Sequence, residues 1–218
     1  MVKTAIITGA SGLTGSCLLQ LLLDEPGYDE VIALVRKELP IKHHKLQQII
    51  VDFDHLDNYS NAIKGDAIFC LLGSTKKKTP DLAVYRKIDH DYPVKLAEIA
   101  LRNKIGQYHL MSSIGANGSS SNFYTKMKGQ TEQDITDIGL PATYIYRPSF
   151  LVGNRKENRP LEKVFVGLMT VINPLLFGGI KKYRSIRIEA VASAMYKQSL
   201  KNEPGVQIYE SDKIQELS

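Results

Sequence analysis

At 218 residues, 43% of them hydrophobic and 23% charged, the chain has the make-up of a soluble globular protein with one substantial core, and residues 1–218 are expected to form a single domain. The net charge of +5 and pI near 9.0 suit an anionic partner, but Lys and Arg are spread along the chain, so a phosphorylated small molecule explains the balance and nucleic acid is not required. Cys17 and Cys70 make neither a disulfide framework nor a metal site, and no secretory leader opens the chain, so a reducing, cytoplasmic setting is expected.

The first element is a strand, Thr4 to Thr8. It runs into TGASGLTG (8–15) and then into a helix with apolar residues at 13, 17, 18, 21 and 22, stopped by Pro26 and Gly27. Strands follow at Val31 to Val35, Gln48 to Phe53 and Ala67 to Leu72. Pro93 suits a first helical turn, and Tyr92, Leu96, Ile99 and Ala100 form the inward stripe of a helix ending near Asn103. The strand Tyr108 to Ser112, a helix from about Phe123 to Asp137 and the strand Ala142 to Arg147 complete at least six strands. Such alternation predicts an α/β fold: a doubly wound parallel sheet with helices on both faces, and a small C-terminal substrate lobe or lid from about residue 150. The longest apolar stretch, Val164 to Ile180, is broken by Asn173, Pro174, Gly178 and Gly179 and is shorter than the about 20 residues a membrane crossing needs; no integral membrane segment is expected.

Strand, TGxxGxxG and helix in succession form a dinucleotide-binding turn: Gly9 makes the turn, Gly12 lets a pyrophosphate approach the backbone, and Gly15 lets helix and strand pack closely. The helix N-terminus offers free N–H groups and a partial positive charge to phosphate. The same glycines would also serve a packed turn with no ligand. Where an NAD site places an acidic residue on the ribose, about 20 residues on, this chain has Val35, Arg36 and Lys37. Alone, the two cations are a solvated strand end; after the second strand, they suit a 2′-phosphate and favour NADP(H) over NAD(H).

Tyr124 and Lys128 lie four apart on one helix and share a face. An ammonium beside a tyrosine favours its phenolate, so this pair suits proton transfer at neutral pH. A hydroxyl from Ser112 or Ser113, at the end of a strand, would face the ligand crevice of an open sheet. YxxxK alone is common by chance; joined to the glycine turn it becomes specific.

With these residues the sequence resembles the short-chain dehydrogenase/reductase superfamily over nearly its whole length: TGASGLTG, Asp52-Phe53, Leu72-Gly73-Ser74, the serine pair, YTKMK and YRPSFLVG. VDFDHLDNY, CLLGST, SSNFYTKMKG and NRKENRP are most similar to the atypical branch that includes the Tat-interactive oxidoreductase. The resemblance implies that Ser11, Gly12, Leu13 and Thr14 hold the pyrophosphate, Arg36 and Lys37 the 2′-phosphate, Asp52 and Phe53 the adenine edge, and Leu72 and Gly73 the adjoining ribose. It implies Tyr124 as acid/base, Lys128 on the nicotinamide ribose, Ser113 with Ser112 as alternate for the substrate oxygen, and Leu151 and Arg159 closing over the cofactor. The family's usual asparagine before the serine strand falls on Asp89, which changes any proton relay there.

The expected function is NADPH-dependent hydride transfer to or from a carbonyl or alcohol substrate, by a monomer or homodimer. The alternative is an NADP(H)-binding regulatory or scaffold protein with little turnover. His43 and His44 sit among lysines, His90 and His109 read as satisfied structural histidines, and Lys76 to Lys78 read as solvated or as phosphate contacts.

Overall fold

The computed structural model describes residues 2–153 and 176–218. Among these, seven parallel strands form one sheet in the order β3-β2-β1-β4-β5-β6-β9: β1 Thr4–Thr8, β2 Glu30–Val35, β3 Leu46–Ile50, β4 Ala67–Cys70, β5 Gln107–Met111, β6 Ala142–Arg147 and β9 Gly205–Glu210. The seventh strand, β9, pairs with β6 from Ala142↔Gly205 to Arg147↔Glu210 and is one that the periodicity does not single out. A separate short pair, β7 (Leu151–Val152) with β8 (Ile186–Arg187), lies beyond β6.

Alternation along the strands explains the two helical layers. Ala5, Ile7, Ala33, Phe69 and Tyr144 pack on one face against Leu18 and Leu22 of α1 (Leu13–Asp24) and Val191 and Met195 of α5 (Ile188–Ser199). Ile6, Ile32, Ile68, Tyr108 and Leu110 pack on the other against Leu96, Ile99 and Ala100 of α3 (Tyr92–Arg102) and Ile135 of α4 (Phe123–Asp137). Each fully buried Leu or Ile contributes roughly 1.5–3 kcal/mol. The last helix, α6 (Ser211–Leu217), anchors through Ile214.

The helix expected from Tyr92 begins ten residues earlier. Asp81 caps α2 (Leu82–Arg86), its carboxylate accepting from the Ala83 and Val84 N–H groups at 2.8 and 3.3 Å. A single π turn, Lys87–Asp91, joins α2 to α3. Pro93 supplies a reason: it has no N–H for the carbonyl four residues back, that of Asp89. The Thr131 hydroxyl of α4 reaches that carbonyl instead, at 3.1 Å. Helix α4 opens as the sequence predicts, with Asn122 accepting from the Tyr124 and Thr125 N–H groups.

Strand order reverses between β1's two neighbours, β2 and β4. In an open parallel sheet the crevice beyond the strand C-termini at that point is where ligands bind.

Candidate functional site

A cleft of about 260 Å³ opens at this switch point, between the glycine turn on one side and α4 on the other. The three glycines at its mouth have different constraints. Gly9 has φ +73°, and a Cβ there would stand 2.4 Å from the Leu71 carbonyl oxygen. At Gly15 a Cβ would stand 2.1 Å from the Gly9 oxygen, which enforces contact between α1 and the turn. Gly12 has only the Gly9 oxygen within 4 Å of such a Cβ, at 3.1 Å, and its backbone lines the cleft. Gly12 caps α1 with no side-chain acceptor, so the first-turn N–H groups have no side chain in front of them. Thr14 in that turn lines the cleft, and its buried hydroxyl has no hydrogen-bond partner among the described residues.

At the other end lies the reactive cluster. Lys128 Nζ stands 2.9 Å from Asp89 Oδ1, with both side chains buried. The second Asp89 oxygen accepts from the Ser74 N–H at 2.7 Å. Burial pushes the Lys128 ammonium down, but the Asp89 carboxylate together with Tyr124 and Cys70 outweighs it, and the group is held above its ordinary value. Gly73 makes room for this pair: a Cβ there would lie 3.4 Å from Asp89 Oδ1. Tyr124, one turn earlier on α4, lines the same cleft and is 37% exposed, open to a ligand.

The two serines separate cleanly. Ser112 is buried and donates to Glu132, which is in turn held by Arg147 Nε at 3.0 and 3.2 Å. That hydroxyl ties β5 to α4 and β6. Ser113 donates only to the Ile114 carbonyl, at 3.1 Å, is half-buried and lines the cleft. Of the pair, Ser113 is the more exposed residue.

Residues 9–167 match the model of the family described as NAD(P)H-binding. The chain belongs to that family. Within it, the chain is 35% identical over 164 residues to the protein HTATIP2 of Rattus norvegicus, covering 73% of this chain and 67% of that protein. It is 30% identical over 207 residues to the protein FMP52, mitochondrial, of Kluyveromyces lactis, covering 94% and 83%. The expected likeness to atypical short-chain dehydrogenase/reductases is thus borne out. Among solved structures, a UDP-N-acetylglucosamine 4-epimerase from Methanobrevibacter ruminantium M1 superposes with a TM-score of 0.72 at 20% identity, covering 96% of this chain and 76% of its own. The Bordetella bronchiseptica enzyme WbmH, in complex with NAD+, gives 0.73 at 17%, covering 99% and 79%. These two establish the Rossmann fold.

As an NAD(P)H-binding protein, the chain has residues that fit a dinucleotide. The Gly12 backbone lines the cleft with room beside it, its own N–H donating to the Gly9 carbonyl at 2.9 Å, and the N-terminus of α1 that follows has no side-chain cap. Of the residues singled out from sequence, that cleft brings together Gly12, Leu13, Thr14, Gly15, Leu72, Gly73, Ser112, Ser113, Tyr124, Lys128 and Leu151. Gly9 and Ser11 complete the turn just outside it. Arg36 and Lys37 are exposed beyond β2. The Asp52 carboxylate caps its own 3₁₀ turn, accepting from the Asp54 N–H at 3.0 Å and meeting His55 Nδ1 at 2.8 Å, while the Phe53 ring packs inward on Tyr92 with centroids 5.5 Å apart. Arg159 lies outside the described residues, as does most of the 164–180 stretch. Sequence reasoning did not assign Ser74, Met111, Pro148 or Ser149 to the cleft wall, and it placed Asp89 as a departure without its partner. Ser74, next to the assigned Gly73, was within reach of the strand-end argument; the Asp89–Lys128 pair spans 39 positions and has no local signal.

Proposed function

We propose that the protein is an NADPH-dependent oxidoreductase acting on a carbonyl or alcohol. The observation that carries this reading is the convergence of Ser113, Tyr124 and Lys128 on the cleft that begins at the Gly12 backbone. Gly12, Leu13 and Thr14 would hold the pyrophosphate, and Leu72 and Gly73 the adjoining ribose. When bound, the nicotinamide supplies or accepts the hydride. Ser113 orients the substrate oxygen, and Tyr124 gives it a proton or takes one. Lys128, kept charged by Asp89, stabilises the negative charge that develops on the Tyr124 oxygen as the proton leaves. The exposed cations Arg36 and Lys37 support a preference for the 2′-phosphate form of the cofactor. Replacing Tyr124 with Phe is expected to lower turnover by about 10²- to 10⁴-fold while leaving NADPH affinity within a few fold. Unchanged turnover overturns the assignment.

One observation favours a second reading, an NADP(H)-binding regulatory protein with little turnover. Asp89 engages the ammonium that the ribose and Tyr124 would otherwise share. On that reading a partner protein binds in a cofactor-dependent way and is indifferent to Tyr124→Phe; equal affinity with and without NADPH removes it.

A further inference from the structure

A second hollow, of about 440 Å³, adjoins the cleft and shares Ser74 and Tyr124 with it. Its walls are mainly apolar: Leu82 and Tyr85 from α2, Phe123 and Tyr124 from the first turn of α4. The Tyr85 and Phe123 rings lie 6.0 Å apart at 47°. Tyr85 is fixed from behind, its hydroxyl donating to the Ser74 carbonyl at 3.1 Å. In contrast, Leu82 and Phe123 are 47% and 42% exposed, an unusual state for large apolar side chains that share one concavity. One cation, Lys76, stands in the lining, followed in sequence by Lys77 and Lys78. None of the three joins an ion pair among the described residues. The nearby Asp81 carboxylate is occupied by its cap on α2.

We infer that this hollow is the substrate site, and that it takes a carbonyl compound with a flat apolar body and a carboxylate distal to the reacting carbon. The inference rests on the oxidoreductase reading for the identity of the reacting group, and on the hollow for the rest. Tyr124 belongs to both cavities, so a substrate whose body lies between Phe123, Leu82 and Tyr85 presents its carbonyl where the proton donor stands. Three aromatic rings favour a planar body, and Lys76, the one charged residue in a lining whose other polar members are Ser74, Thr75 and Asn122, favours an anion at the far end. The size is that of an ordinary small-molecule pocket, about 300–1,000 Å³. The reaction balances as a reduction: the carbonyl carbon gains hydride from NADPH, its oxygen gains the Tyr124 proton, and NADP+ and an alcohol leave.

The test uses 2-naphthaldehyde and 6-formyl-2-naphthoate, which differ by the distal carboxylate, with the full chain saturated with NADP+. Calorimetric titration is expected to give roughly five-fold tighter binding of the carboxylate, the size of one solvent-accessible charge pair. Lys76→Gln should remove that preference and leave the neutral aldehyde unchanged. Phe123→Ala should weaken both. Equal binding of the two aldehydes, or a preference that survives Lys76→Gln, overturns the inference. NADPH oxidation is followed separately with the same pair. Carboxylate-selective binding without oxidation leaves the ligand class standing and sinks the oxidoreductase reading instead.

Discussion

The two ends of the cleft are built by different means. At the glycine turn the backbone fills the space: carbonyl oxygens of Gly9 and Leu71 occupy the positions where side chains would start. At the reactive end the space is shaped by side chains from distant elements, Asp89 on the π turn, Lys128 and Glu132 on α4, and Ser112 at the end of β5. The first end tolerates almost no change of residue but needs no partner. The second depends on every charge finding its counter-charge.

The largest effect expected from this contrast is within the turn itself. Gly15→Ala forces a backbone shift and should destabilise by about 3 kcal/mol, lowering the melting temperature by roughly 6–12 °C. Gly12→Ala meets one oxygen only and should melt close to the parent while losing most of its NADPH affinity. Thermal melts with cofactor titrations decide it; if both variants lose the same stability, the three glycines do not divide their roles as described.

At the reactive end, Asp89→Asn leaves Lys128 buried beside a neutral amide. Removing one partner of a buried pair should lower stability by about 2–3 kcal/mol, the amide retaining part of the contact. Turnover per folded molecule should fall, because burial then pushes the ammonium toward its neutral form and weakens the charge beside Tyr124. Because the folded-state value of Lys128 is raised, its share of stability is complete below about pH 10.5 and is lost as pH climbs through the raised value. The stability gap between parent and variant should therefore shrink above pH 10.5. A constant gap across that range would show that the ion pair is not its source.

A smaller effect should come from Arg36→Ala with Lys37→Ala. NADPH affinity is expected to fall by about ten-fold, on the scale of charge-assisted hydrogen bonds, with NADH affinity little changed. Equal losses would mean that these cations do not read the 2′-phosphate.

A further effect concerns neither end and serves as their control. His109 is fully buried between the Phe69 and Tyr144 rings, with Nδ1 3.1 Å from the Tyr146 hydroxyl and Nε2 3.0 Å from Gln107. Burial pushes it down to about 3. The neutral ring's contribution is complete above about pH 6.5 and is lost as pH falls toward 3. His109→Phe should flatten the stability profile between pH 6.5 and 4.5 by at most about 1.4 kcal/mol per pH unit, leaving NADPH affinity unchanged. An unaltered slope would show that the ring does not carry the acid sensitivity.

The same contrast explains what the sequence made legible. Thr4 to Thr8, Gly9, Gly12, Gly15 and the stripe through Leu18 and Leu22 are local patterns, and local sterics wrote the turn between the first strand and its helix. Tyr124 and Lys128 were readable because four residues on a helix is also local. The choice between Ser112 and Ser113 was not, since it depends on Glu132 and Arg147 at 20 and 35 positions' distance. Strand β9 escaped for a related reason: Val206 and Ile208 face outward at an edge and are 43% and 48% exposed, so its alternation lacks a strongly buried face. Asp52 was read for its position after a strand, whereas its carboxylate answers to His55, three residues on.

The π turn at Lys87–Asp91 puts one surplus residue into a helix that is otherwise regular on both sides. Removing a single residue there would turn everything upstream by about 100° relative to α3. Tyr85 and Leu82 would swing off the hollow in the same motion that took Asp89 away from Lys128. The counter-charge of the lysine and the aromatic wall of the neighbouring cavity therefore hang on one backbone insertion: a deletion there would change both together, whatever side chains were kept.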